Sequence, residues 1–100
     1  MAQVPVRFAS VLYDRFLALY TGEVTVEGVD LEFVPFFSPR GAFDRMSGGL
    51  EFDVAEFSLS EFVSRLSAGP CPFVVIPVFP LRAFRHGMIG THTAAGIAQP

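Results

Sequence analysis

Lysine is absent from this chain of 100 residues, cysteine occurs once, and charged residues make up only 17% of the sequence. All seven basic side chains are therefore arginines. Either a coding bias or a use of the planar guanidinium fork accounts for them. The second reading singles out the close pair Arg82 and Arg85, because guanidinium groups grip carboxylates bidentately. A net charge of −3 and a pI near 5.2 exclude the basic stripe of a nucleic-acid-binding module. The single Cys71 excludes an intrachain disulfide framework and a multi-cysteine zinc site. It lies between Pro70 and Pro72 with no neighbouring base, and reads as an inert thiol. No uncharged window is long enough to span a membrane. Asp14 and Arg15 interrupt the apolar stretch after Arg7 before a signal-peptide core is complete. The expected compartment is the cytoplasm, with neither a membrane nor a nucleic acid as partner.

What the chain has in quantity is apolar surface. Hydrophobic residues make up 51% and mean hydropathy is +0.47, which excludes intrinsic disorder. Twelve phenylalanines exceed what one small core normally holds, so some are expected to line a pocket or face a partner. The length allows one domain.

Short strand-like runs alternate with short helix-like runs, which predicts an α/β layer with a mostly parallel sheet flanked by helices. The first strand is expected over Val4 to Ala9. Asp14 then caps a helix with Phe16, Leu17 and Tyr20 on one side, ended by Gly22. Glu23 to Val26 reads as a short extended piece, and the turn at Glu27-Gly28 leads to a second strand, Leu31 to Phe36. Ser38-Pro39 reads as an N-cap followed by proline in the first helical position. Phe43, Met46 and Leu50 continue the helical spacing, with Gly48-Gly49 stopping the helix before Leu50. A third strand is expected over Phe52 to Phe57. Ser58 and Glu61 then form a capping box, and Phe57 and Phe62 a hydrophobic staple, for a helix carrying Leu59, Phe62, Val63 and Leu66 on one face. Gly69-Pro70 ends it. Phe73 to Ile76 is apolar on both faces, as a buried fourth strand would be, and Pro77 and Pro80 stop its pairing. Leu81 to Ile89 reads as an extended crossing segment, and residues 91–100 as a small-residue tail.

Ligands of open parallel α/β sheets bind beyond the carboxyl ends of the strands. That rule selects Ser10, Tyr13 and Asp14 after the first strand, Glu56, Ser58 and Ser60 after the third, and Phe79, Arg82, Arg85 and His86 after the fourth. Asp14 and Ser58 double as helix caps, and Glu56 is either solvated or a pocket carboxylate. There is no metal-ligand spacing, phosphate-cradling glycine loop or nucleophile elbow. No cofactor and no metal are predicted.

Five segments occur in order: Leu12-Tyr13-Asp14-Arg15, Glu27-Gly28-Val29-Asp30-Leu31, Phe43-Asp44-Arg45-Met46, Glu51-Phe52-Asp53-Val54-Ala55-Glu56-Phe57-Ser58, and Ile76-Pro77-Val78-Phe79-Pro80 through Phe84-Arg85-His86. Together they resemble the N-terminal part of the 4,5-dihydroxyphthalate decarboxylase family. The resemblance implies one lobe of a type II periplasmic-binding-protein-like fold, with residues 1–90 as the lobe and 91–100 as the start of a crossover to a second lobe. It also implies a small aromatic dicarboxylate as substrate, losing one ring carboxylate to give protocatechuate and carbon dioxide. Chemistry built on this resemblance assigns His86 as general acid, Arg82 and Arg85 as carboxylate clamps, Glu56 or Asp14 as acceptor of the phenolic proton, and Tyr13, Ser58 and Ser60 as substrate-binding groups. The second lobe, or a partner in its place, is expected to cover the cleft face, and one lobe alone is expected to be inactive. The alternatives are a non-catalytic solute-binding lobe of the same fold and an inactive truncated product.

Overall fold

Two eight-residue strands form the sheet, β1 (Val4–Val11) and β2 (Val29–Phe36), joined by the two-residue β3 (Val54–Ala55). The computed structural model describes residues 2–99 apart from the His86 side chain. The strands lie in the order β2-β1-β3 and every pairing is parallel, with register from Val4 opposite Val29 to Val11 opposite Phe36. Parallel neighbours need crossovers. The first is a 3-10 turn, Asp14–Phe16, that runs into α1 (Leu17–Thr21); the second is α2 (Pro39–Gly49). A further helix, α3 (Leu59–Ala68), follows β3. The α/β layer with a parallel sheet is as the alternation predicts.

Side-chain alternation along β1 assigns the two faces. On one, Phe8 meets Phe33 of β2 edge-to-face at 5.1 Å, and Phe16 and Tyr20 close over them. On the other, Ala9 and Ala42 are fully buried with Met46 and Phe52, backed by Val34, Phe36, Ala55, Phe57 and Phe73. Two small residues facing each other let α2 approach the sheet closely, and the neighbouring rings fill the space around them. Many of the phenylalanines are thus spent in ring pairs on both faces of a thin layer.

Several boundaries differ from the sequence reading. Asp14 does not cap the first helical segment: Tyr13 occupies the cap position, without a side-chain cap bond, and Asp14 is the first residue of the turn. Glu23 to Val26 is not extended pairing, because the Val24 N–H donates back to the Ala18 carbonyl around Gly22, which has φ +83°. α2 ends at Gly49, before Leu50 as expected, but the left-handed residue that closes it is Leu50 itself at φ +50°, a position where glycine is the usual occupant. Beside this turn Arg45 holds Glu51 at 2.9 Å, which keeps the Glu51 carboxyl below the usual range.

β3 covers two residues rather than Phe52 to Phe57, for a reason visible at both its ends. The Asp53 carboxylate takes the N–H of Arg7 at 2.8 Å, and the Glu56 carboxylate takes the N–H of Val11 at 3.2 Å. Side chains there replace the backbone acceptors that would extend the ladder. The expected fourth strand is not formed. Phe73 to Ile76 carries no pairing, and Val74, Val75 and Ile76 are more than half exposed rather than buried. Pro70, Pro72, Pro77 and Pro80 remove N–H donors around it, and the short β3 offers little edge to pair with. Residues 70–99 contain two 3-10 turns, His86–Met88 and Thr93–Ala95, and no strand or α-helix. The 3-10 turn at His86 also breaks the extended run expected from Leu81 to Ile89. The radius of gyration, 17.6 Å, exceeds the roughly 13 Å of a compact domain this size, as that extended segment requires. Among the described residues, no helix is long and apolar enough to cross a membrane.

Candidate functional site

Glu56 stands at the carboxyl end of β3 and is buried, at 8% exposure. Its own N–H donates to the Ala9 carbonyl at 2.8 Å, fixing the residue against β1. Oε1 accepts from the Ser10 hydroxyl at 3.1 Å and from the Val11 N–H at 3.2 Å, while Oε2 accepts from the Tyr13 hydroxyl at 2.5 Å. Three donors satisfy a carboxylate that would otherwise be costly to bury. Glu56 is therefore the pocket carboxylate of the two sequence readings, not the solvated one.

Tyr13 is polarised by this contact. Burial comes first, followed by the hydrogen bond to Glu56 and the negative charge of that carboxylate; together they push the phenol well above its ordinary value of 10.0. The positive charges of Arg15 and Arg85 oppose the shift without cancelling it. Arg15 lies 5.1 Å from the centre of the Tyr13 ring, pairs with Asp14 at 3.1 Å, and donates to the Pro80 carbonyl. One arginine thus ties the segment around Pro80 to the end of β1.

Beyond Glu56 a cavity of about 540 Å³ opens between the start of α3 and the chain at 75–85. Glu56, Ser58, Ser60 and Arg85 line it, and Phe43, Phe57 and Phe79 supply aromatic walls. The mix of an apolar lining with a few convergent polar groups is what small-molecule sites present. Ser58 caps α3, its hydroxyl accepting the Glu61 N–H at 3.3 Å and lying 3.0 Å from the Ser60 hydroxyl. The reciprocal half of the capping box is not used: the Glu61 carboxylate pairs with Arg40 at 2.9 Å and with Arg65 at 3.4 Å. Arg40 also binds Asp44 at 2.7 Å and lies over the Phe43 ring, so it joins α2 to α3 beside the aromatic wall. Phe57 and Phe62 both meet Phe73, at 4.9 Å and 6.0 Å between ring centres, so the staple acts through a third ring. A second cavity of about 650 Å³, mostly apolar, lies under residues 72–80 and shares Glu56 with the first.

Of the candidates from the sequence, Glu56, Ser58, Ser60 and Arg85 come together and Tyr13 is joined to them through Glu56. Asp14 does not join them: it is exposed and occupied by Arg15, because the turn that it opens carries it to the outer side. Arg82 is exposed and lines neither cavity. His86 opens a 3-10 turn directly after Arg85, and its side chain lies outside the described residues. Ser10, selected by the strand-end rule but given no specific role, is fully buried against Glu56, and Arg15 is a contributor outside the candidate set. Nothing local marks Arg15, whose partner Pro80 is 65 residues away.

No protein-family model matches the chain. It is 35% identical over 100 residues to a 4,5-dihydroxyphthalate decarboxylase of Comamonas testosteroni, covering all of this chain and 30% of that protein. It is 39% identical over 85 residues to a 4,5-dihydroxyphthalate decarboxylase of Pseudomonas putida, covering 85% of this chain and 33% of that protein. The resemblance drawn from the five sequence segments is borne out, and the chain spans about a third of the length of these relatives.

Proposed function

The chain is related along its length to the 4,5-dihydroxyphthalate decarboxylase family, and on that premise we propose that its cavity binds the ring and one carboxylate of an aromatic dicarboxylate that undergoes decarboxylation. The observation that carries this reading is the meeting of Arg85, Ser58 and Ser60 with three phenylalanine rings and a buried carboxylate in one space of about 540 Å³. Arg85 matches a ligand carboxylate, the serine hydroxyls donate to its second oxygen, and the rings stack on the aromatic plane.

In the proposed reaction the ring carbon bearing the carboxylate takes a proton. A hydroxyl para to that carbon gives up its own proton and becomes a carbonyl, which neutralises the positive charge left on the ring by the first proton. The carbon–carbon bond then breaks, carbon dioxide leaves, and the bonding electrons restore the aromatic ring and return the carbonyl to a phenolate, which takes back a proton to give protocatechuate from 4,5-dihydroxyphthalate. His86 is the proposed proton donor, on the ground of its ordinary pKa near neutrality. Arg82 is the proposed second clamp, reached when a second lobe of a type II periplasmic-binding-protein-like fold closes on this one in the cytoplasm.

Calorimetric titration of the chain with phthalate tests the pocket. Arg85→Gln is expected to weaken binding by roughly tenfold or more, the loss of a charge-assisted bond. Equal affinity in the variant and the parent would remove Arg85 from the site. Incubation with 4,5-dihydroxyphthalate, followed for protocatechuate, separates binding with turnover from binding alone.

A further inference from the structure

We propose that Glu56 selects the end of the ligand away from the gripped carboxylate, taking a ring hydroxyl there and turning away a second anionic group. This deepens the dicarboxylate-pocket reading and rests on it. Glu56 and Arg85 line the same cavity, yet among the described residues no ion pair joins them. Arg7, Arg15, Arg40, Arg45 and Arg65 are each held by a carboxylate. The hydrogen bond that Arg85 makes among the described residues is to the Met88 sulfur at 3.4 Å, a weak acceptor that a ligand carboxylate displaces. One cavity thus carries a cation open to a ligand and a carboxylate apart from it. An ionised carboxylate offers about four acceptor sites and no donor. On Glu56, Oε1 takes the Ser10 hydroxyl and the Val11 N–H, and Oε2 takes the Tyr13 hydroxyl. Ser10, Val11 and Tyr13 do not line the cavity, whereas Glu56 does, so these donors leave the remaining acceptor site of Oε2 to the cavity side. Asp14, the other proton acceptor expected from sequence, is outside the cavity and paired with Arg15. With a ring held at Arg85 by its carboxylate, an O–H at the edge that meets Glu56 donates to Oε2. A carboxylate at that edge meets a like charge, and a plain ring hydrogen does neither.

The test is calorimetric titration of the full chain, near pH 7, with benzoate and two ligands that differ from it only at the para position: 4-hydroxybenzoate and benzene-1,4-dicarboxylate. The hydroxy ligand is expected to bind about tenfold more tightly than benzoate, the size of one hydrogen bond to a charged acceptor. The 1,4-dicarboxylate is expected to bind about tenfold more weakly than benzoate, because its second charge is set against Glu56. Glu56→Gln removes that charge and supplies an amide N–H that can donate to a carboxylate. The variant is expected to bring the two para-substituted ligands within about threefold of each other and to bind benzoate more tightly, since a negative charge has left the cavity. A purely structural role for Glu56 would instead weaken all three ligands alike and keep their order. The comparison among ligands uses the unmodified protein and so does not depend on the variant folding. Equal binding of 4-hydroxybenzoate and the 1,4-dicarboxylate in the parent, or a preference that survives Glu56→Gln, overturns the assignment of Glu56 and leaves the pocket reading standing. Failure of both benzoate and phthalate to bind overturns the pocket reading and this inference with it.

Discussion

The Asp53 carboxylate accepts the backbone N–H of Arg7 at 2.8 Å, in the place where a longer β3 would have offered a carbonyl. Glu56 repeats the arrangement on Val11 three residues later. The two carboxylates bracket β3 and restrict it to a two-residue pairing. Asp53 is exposed, so water can replace it. Asp53→Ala is expected to cost no more than about 1 kcal/mol and to speed hydrogen exchange at the Arg7 amide. Glu56→Ala strips three donors in a buried place and is expected to cost roughly 1–3 kcal/mol. Chemical denaturation of both variants gives the comparison, and equal costs would contradict the burial argument.

Tyr13 is held neutral by its surroundings, so its folded pKa lies above the ordinary 10.0. The pair therefore contributes stability in full below about pH 10 and loses it as pH rises through the folded value. Tyr20→Phe leaves Tyr13 as the one tyrosine in the chain. Its phenolate absorbance is then expected to rise only well above pH 10, or together with unfolding. A simple titration centred at 10 in the folded protein would show that the bond to Glu56 is absent in solution.

Two glycines of α2 differ in what a methyl group would meet. A Cβ at Gly48 finds nothing within 4 Å, whereas one at Gly41 comes 3.0 Å from Cδ1 of the Phe36 ring. Gly48→Ala is therefore expected to stabilise the fold by roughly 0.5–1 kcal/mol, and Gly41→Ala to forfeit that gain by displacing the ring from Phe52. Thermal melts of the two variants decide it; matching increases in Tm would mean that the Phe36 ring moves aside freely.

Ser38 and Ser58 both precede helices, but only Ser58 makes a side-chain cap bond, to the Glu61 N–H. Ser58→Ala is expected to cost about 1 kcal/mol and to expose the Glu61 amide to exchange. Ser38→Ala is expected to change stability by much less. Similar losses at both positions would show that Ser38 caps α2 in solution.

The local order of the chain was legible because it depends on neighbours in sequence. Ser58 and Glu61 stand three residues apart, Pro39 occupies the first position of α2, and β1 and β2 are marked by their own apolar runs. The fourth strand was misread because apolar character alone does not supply a pairing edge. Val74, Val75 and Ile76 look like a buried strand, but prolines surround them and β3 presents only two paired residues. Glu56 could not be resolved from sequence either, since its burial depends on Ser10 and Tyr13 arriving from another strand.

By itself the sequence determined the alternation of strands and helices, the cap of α3, the family resemblance and the set of polar residues near the strand ends. Those follow from spacing and from short-range chemistry. Tertiary structure alone decided which of those residues meet. It buried Glu56 under three donors, sent Asp14 outward to Arg15, and brought Arg85 to Ser58 and Ser60 across a gap of more than twenty residues. The physical reason is that a side chain's direction is set by the register of β1 against β3 and by where the segment after α3 folds back, and neither is written in any local pattern.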